Sequence, residues 1–238
     1  MSIDERALTA ARNNADWYEA MFTTHGLRYV RRPYAFVGQD GALPFHSNLT
    51  GVAPDQEAAI IRELAGLVSR FERVVVKDSF CQLELEQNGF RTLFEAFRIW
   101  RDHVRSGLPT GWRIVNNTSE LKIWEDGWRR CNSSAECRMF PDLLLDREDV
   151  IFLGRVEAGR FTDGCIANLS NECVGLSNVF AESPSQRSIA EAANAASSVG
   201  GRFPLVGFES GTELDHALSA GFQVVGKLRI LAAKGARF

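Results

Sequence analysis

Residues 175–193 read GLSNVFAESPSQRSIAEAA, and the fold is read outward from them. An apolar run through Ser177, Asn178, Val179 and Phe180 is broken by Glu182, Ser183 and Pro184, and an alanine-rich segment of helical spacing follows. That order predicts a strand, a short loop and a helix starting at Ser185. Backbone N–H groups at a helix start point away from the chain, and the helix dipole adds about half a positive charge there. Small side chains at such a loop let an anionic ligand approach the backbone. Ser185, Ser188 and Ala190 are small, and Arg187 offers a guanidinium fork suited to phosphate oxygens. The same Ser-Pro-Ser-x-x-Ser run is also a good helix N-cap with Pro184 setting the turn, so the loop alone supports either reading.

The stretch has an earlier counterpart. SNLTGVAPDQ (47–56) and SNVFAESPSQ (177–186) share Ser, Asn, Pro and Gln at identical spacing. Downstream, VVVKDSF (74–80) is followed by Asn88-Gly89-Phe90, and LVGFESG (205–211) by Ala220-Gly221-Phe222. Each Gly-Phe leads into a second apolar run, RTLFEAFRIW (91–100) or QVVGKLRIL (223–231). Three matches in near register predict a tandem repeat. The Gly/Pro-bearing RDHVRSGLPTG (101–111) supplies the boundary, with lobes at 1–107 and 108–238.

In the second lobe the pattern predicts a strand at 112–115 and a helix at 118–131 capped by Thr118, then an irregular connection at 132–148. Three antiparallel strands follow at 150–156, 161–169 and 173–181, then the Ser185 helix and a strand at 204–209. A helix at 212–220 ended by Gly221 and a last strand complete the lobe. The first lobe matches from its opening helix (4–24) but lacks the first strand. Trp17, Trp124 and Trp128 are expected to pack between the halves.

The fold class is therefore α/β (α+β): two tandem lobes, each a mixed, mostly antiparallel sheet flanked by helices. This order resembles the GNAT N-acetyltransferases, whose acyl-CoA signature, Arg/Gln-x-x-Gly-x-Gly/Ala, opens the helix after the fourth strand. Here it falls on Ser185, Gln186, Arg187, Ser188, Ile189 and Ala190. Only Ala190 matches strictly; Ser185 stands for the basic or amide residue and Ser188 for the glycine. The resemblance implies an acyl-CoA co-substrate, acetyl-CoA or another, held by that loop and by Ser177, Asn178, Val179 and Phe180. In the first lobe Asp55 and Glu57 occupy the corresponding helix start, and carboxylates there repel a phosphate, so that lobe is expected to be silent and to shape the acceptor cleft.

Acyl transfer to an amine needs donors for the thioester carbonyl, a base for the ammonium and an acid for the thiolate. The resemblance implies backbone donors at 177–179 and a carboxylate base, for which Glu172, Asp163 and Glu209 are the candidates. Taken singly, Asp163 and Glu172 read as turn decoration. Many family members place a Tyr acid four residues before the closing Gly-Phe; here that position is Ala217, beside His216. His216 could supply an acid, although a lone histidine on a helix reads as a surface residue; otherwise a residue of the first half reaches across, or solvent protonates the thiolate, or no transfer happens.

Composition bounds the rest. With 27 Lys+Arg against 30 Asp+Glu, a formal charge of -3 and no basic run, nucleic acid is not an expected partner. Five cysteines without a C-x-x-C pair and four scattered histidines predict no metal site. Unpaired cysteines such as Cys165 and Cys173, read as core thiols, fit a reducing compartment. No apolar stretch has signal-peptide or membrane-spanning length, so a cytoplasmic protein with no membrane partner is expected, as monomer or homodimer. The leading expectation is an N-acyltransferase, acting by acetyl transfer to a small-molecule or protein amine. The alternative is a catalytically inactive GNAT-like protein that binds a CoA-like or other small ligand, or serves as an interaction scaffold.

Overall fold

The computed structural model describes residues 4–132 and 138–233. Elements run α1 (Glu5–Thr24), β1 (Tyr29–Arg31), β2 (Ala35–Gly38), β3 (Leu49–Gly51), α2 (Glu57–Val68), β4 (Val75–Asp78), β5 (Phe90–Arg101) and β6 (Trp112–Ile114). They continue through α3 (Thr118–Asn132), β7 (Val150–Glu157), β8 (Arg160–Leu169), β9 (Val174–Ala181), α4 (Gln186–Val199), β10 (Leu205–Glu209), α5 (Gly211–Ser219) and β11 (Gln223–Ala233). The chain forms two compact units: Met1–Arg98 with Val225–Phe238, and Ile99–Val224.

Within the first unit the strand order is β1-β2-β3-β4-β11-β5. β1, β2 and β3 pair antiparallel, and β3 then pairs parallel with β4 through Leu49↔Val76. The second unit, β10-β9-β8-β7-β6, repeats this scheme: β7, β8 and β9 are antiparallel, and β9 pairs parallel with β10. The parallel step in each unit is bridged by a helix, α2 or α4, because parallel neighbours cannot be joined by a tight turn.

The C-terminal strand differs from the expected division. β11 aligns Arg229↔Asp78 through Ala232↔Val75 against β4, so residues from Val225 onward pack with the first unit. Ladder hydrogen bonds, which no local pattern encodes, decide this. At the other end Ile99 is 1% exposed in the core of the second unit, among Leu176, Leu205 and the alanine face of α4.

That alanine face (Ala192, Ala193, Ala195, Ala196) lets α4 lie close on the sheet. α3 packs against β8 and β9, with Trp124 fully buried and edge-on to Phe140, Phe152 and Phe180 at 5.0–5.3 Å. Trp17 instead lies near His46, and Trp128 against Phe140. Each of these rings finds ring partners within its own unit. Thr118 is likewise the first residue of α3 and not its cap. The Asn117 side chain accepts from the Glu120 N–H at 2.9 Å and performs that role. Of the expected irregular connection at 132–148, residues 133–137 lie outside the described residues, and Asp142–Asp146 form a 3-10 turn.

Candidate functional site

The parallel ladder between β9 and β10 consists of Leu205↔Val174 and Val206↔Gly175. Both strands continue beyond it, to Ala181 and Glu209, without pairing further with each other, so their carboxyl ends part. On the other edge of β9 the register with β8 slips between Ile166↔Ser177 and Gly164↔Phe180. Asn178 sits at this bulge with φ of 51°, an angle Asn tolerates better than most residues. The bulge leaves Asn178 and Val179 without a register partner on β8. Sequence patterning placed 177–179 on this strand; the bulge was invisible to it. In parallel α/β sheets, a crevice where carboxyl ends diverge is the usual ligand position.

Phe180 turns its ring into the core, 3% exposed against Trp124, and Ile189 is 7% exposed. Their side chains therefore belong to packing, which leaves their backbone as the part a ligand can meet. The loop that follows is exposed from Glu182 to Arg187. Ser185 caps α4 in a reciprocal box: its Oγ accepts from the Ser188 N–H at 3.3 Å, and its own N–H donates to Ser188 Oγ at 2.8 Å. The capping reading is thus realised in the geometry, and Ser188 occupies with a hydroxyl the place that a glycine would leave open. Gln186 reaches from the same turn to donate to the Ser219 carbonyl at 3.1 Å.

A pocket of about 180 Å³ lies against this loop, lined by Arg155, Asp163 and Glu182 together with Ser185, Arg187 and Ser188. Arg155 bridges Asp163 and Glu191, each at 2.9 Å. Asp163 also accepts from Thr162 Oγ1 at 2.8 Å. Asp163 is therefore a buried partner of an arginine and not turn decoration. Arg187, 81% exposed, pairs with Glu191 at 2.8 Å. Burial opposes the charge on Glu191, but hydrogen bonds from Arg187 and Trp112 and the charge of Arg155 outweigh it and hold its pKa below the usual value. Arg187 can turn toward a phosphate without orphaning Glu191, because Arg155 stays in place.

The three candidate bases fall in different surroundings. Glu172 is exposed in the turn before β9, at the amino end of that strand and so at the opposite edge from the loop. The eight residues of β9 separate the two by roughly 25 Å at about 3.3 Å per residue. Glu209 ends β10, where the strands part. Its carboxyl is pushed up to about 7, first by burial and then by the nearby Glu213. Asp78, which ends β4 as Glu209 ends β10, shows the contrast: it pairs with Arg229 at 3.0 Å and accepts from the backbone of Phe80, Gln82 and Leu83. A carboxyl left half-ionised at neutral pH in a crevice is suited to moving a proton. Nothing in the local sequence of Glu209 announced that value, since burial comes from tertiary contacts.

Ala217 is fully buried, so the position of the family tyrosine carries no acid. In the first unit, Tyr34 donates to Glu63 at 3.0 Å, and Tyr18 accepts from the Ser47 N–H at 3.4 Å. Cys165 and Cys173 are buried, as core thiols should be, and burial raises the pKa of Cys165. The start of α2 departs from that of α4. Gln56 caps it without a side-chain bond, and Glu57 accepts from the Glu84 N–H at 2.6 Å. Among the described residues no group of His, Cys, Asp or Glu is arranged to hold a metal, and no helix is long and apolar enough to cross a membrane.

No family model matches the sequence, and no curated protein matches it. Solved structures do match. A GCN5-related N-acetyltransferase from Kribbella flavida superposes with a TM-score of 0.67 at 14% identity, covering 95% of this chain and 96% of that one. A GCN5-related N-acetyltransferase from Sphaerobacter thermophilus gives a TM-score of 0.57 at 11% identity, over 89% of this chain and 76% of that one. The Saccharomyces cerevisiae N-myristoyltransferase, solved with myristoyl-CoA bound, gives 0.53 at 8% identity, over 78% and 59%. At these identities the likeness concerns the backbone, and what it establishes is that this chain carries the GNAT N-acetyltransferase fold.

Proposed function

We propose that the chain is an acyl-CoA-dependent N-acyltransferase whose working site is the crevice between β9 and β10, most simply for acetyl transfer to a small-molecule or protein amine. The observation that carries this reading is Glu209, a carboxyl with a pKa of about 7 at the end of the strand that parts from β9. The pantetheine arm would enter between the strands, with the pyrophosphate against the start of α4 and Arg187. The backbone at Asn178 and Val179, freed by the bulge, would donate to the thioester carbonyl as negative charge develops on its oxygen. Glu209 would take the proton from the attacking ammonium, directly or through water, and its pKa matches that task at neutral pH. With Ala217 in place of an acid, solvent would protonate the leaving thiolate. Asp163 and Glu172 have no part in proton transfer here: one is committed to Arg155, the other lies at the far edge of the sheet.

The second reading is a GNAT-shaped protein that binds a CoA-like ligand without turnover, or serves as an interaction scaffold. It is favoured by the capping box at Ser185 and Ser188 and by the pocket lining, where Glu157, Asp163 and Glu182 offset Arg155 and Arg187. Calorimetry with acetyl-CoA and longer acyl-CoAs, on the parent chain and Arg187→Glu, separates the cases. Binding that the substitution weakens by about ten-fold, or about 1.4 kcal/mol, supports a phosphate site at this loop, and an amine screen then decides turnover. No binding of any acyl-CoA would exclude the enzyme.

A further inference from the structure

The interior of the first unit holds a buried positive charge that the acyl-CoA reading does not use. Arg98, on β5, is 1% exposed. Its one hydrogen bond within the described residues runs from Nε to the Ser79 carbonyl at 3.4 Å, and its Nη2 has no partner. Burial pulls its pKa down, to about 10, so it stays charged at neutral pH. No ion pair within the described residues involves it. Asp78, a carboxylate whose field it feels, is already paired with Arg229 at 3.0 Å. Burial, and then the charge of Arg98, pull the Lys77 ammonium well below the ordinary lysine range. Lys77 is 2% exposed, donates to Asn14 Oδ1 at 2.7 Å, and sits 4.9 Å from the centre of the Tyr18 ring.

Two further polar atoms of this cluster are orphaned. Ser79, two residues beyond Lys77, has a buried Oγ without a partner. His46 stacks 4.7 Å from Tyr18, donates Nδ1–H to the Pro44 carbonyl at 2.8 Å, and leaves a buried Nε2 lone pair unused. A guanidinium removed from water and given no anion is among the most unfavourable arrangements a core can hold, and an arginine cannot escape it by losing its proton. An apolar side chain at 98 would be the cheaper solution if the position served packing alone. The chemistry missing from this cluster is an acceptor-rich, negatively charged group of a few atoms.

We propose that the first unit contains a second ligand site, in which Arg98 Nη2 and Ser79 Oγ hold a small oxyanion, a carboxylate or a phosphate. The site stands independently of acyl-CoA binding by the second unit.

The test uses the full chain. Thermal unfolding is followed while inorganic phosphate or acetate is titrated at constant ionic strength, for the parent, Ser79→Ala and Arg98→Met. In parallel, the denatured parent is assayed by anion chromatography for an anion carried through purification. Ser79→Ala removes only an unpartnered hydroxyl, so it keeps the variant set interpretable even if Arg98→Met fails to fold. The expected result is a saturable rise of the midpoint with one of the two anions, weakened about ten-fold by Ser79→Ala and abolished by Arg98→Met, or about one equivalent of released anion in its place. A response to phosphate alone assigns the phosphate class; a response to acetate alone assigns the carboxylate class. Equal response in parent and Ser79→Ala, or neither a saturable shift nor a released anion, overturns the proposal.

Discussion

Replacing Glu209 with Gln converts its unusual acidity into a measurable stability. In the folded chain its proton leaves near pH 7, against an ordinary value of 4.5. Between those limits the folded state holds a proton that the unfolded chain has already released. Stability is therefore highest below pH 4.5, falls as pH rises toward 7, and is level above it. At about 1.4 kcal/mol per pH unit, the fully ionised carboxylate costs the fold on the order of 3 kcal/mol. Gln keeps the shape of the neutral acid and cannot ionise. Glu209→Gln should match the parent at pH 4 and exceed it at pH 8 by up to about 3 kcal/mol, several degrees in a chain of this length. Urea unfolding of both proteins at the two pH values gives the difference, because titrating groups that do not interact with Glu209 cancel between them; Glu213, which does, is coupled to it. An unchanged difference from pH 4 to pH 8 would show that Glu209 is solvated as an ordinary surface carboxylate, and the argument for its role as base would go with it. If turnover is found, the parent rate should rise with pH through a limb near 7 that the variant lacks.

Asp163→Asn should cost about 1–3 kcal/mol of stability, by removing one of the three carboxylates on Arg155, the others being Glu191 and Glu157; a loss of turnover at unchanged stability would instead make Asp163 the base. Gly164→Ala should destabilise by about 1–3 kcal/mol or more, since its Cβ would lie 2.4 Å from the Phe180 ring and 2.6 Å from Trp124 Nε1; urea unfolding reads it, and a neutral result would mean that this aromatic core is loosely packed. Ser188→Gly restores the glycine of the acyl-CoA signature. It should tighten acetyl-CoA binding several-fold in calorimetry while lowering stability by about 1 kcal/mol through the lost capping box.

The elements that local pattern specifies were legible from the chain. The meander at 150–181, the Ser185 helix and the closing Gly-Phe each rest on periodicity or punctuation within a dozen residues, and the structure places strands and helices there within one or two positions. The loop from Ser185 to Ala190 was legible as a helix start for the same reason. Its double meaning, cap or phosphate cradle, was legible too, since both uses draw on the same unsatisfied N–H groups. What the local pattern left open was decided by remote contacts. Asp163 is defined by Arg155 across a strand pair, and the tryptophans by rings on other elements of their own units.

The sequence by itself determined the succession of elements, the repeated Ser-Asn…Pro-x-Gln signal and the exchange of a tyrosine for Ala217. Only tertiary structure decided that β11 pairs with β4, that β9 and β10 separate beyond Val206, and that Asn178 sits at a bulge. It also decided which acid is unusual. Asp78 and Glu209 end corresponding strands in similar local sequence, yet one meets an arginine and three backbone donors while the other meets burial and Glu213. Hydrogen-bond ladders, desolvation and charge pairing act between residues far apart in the chain, so a local pattern carries no record of them.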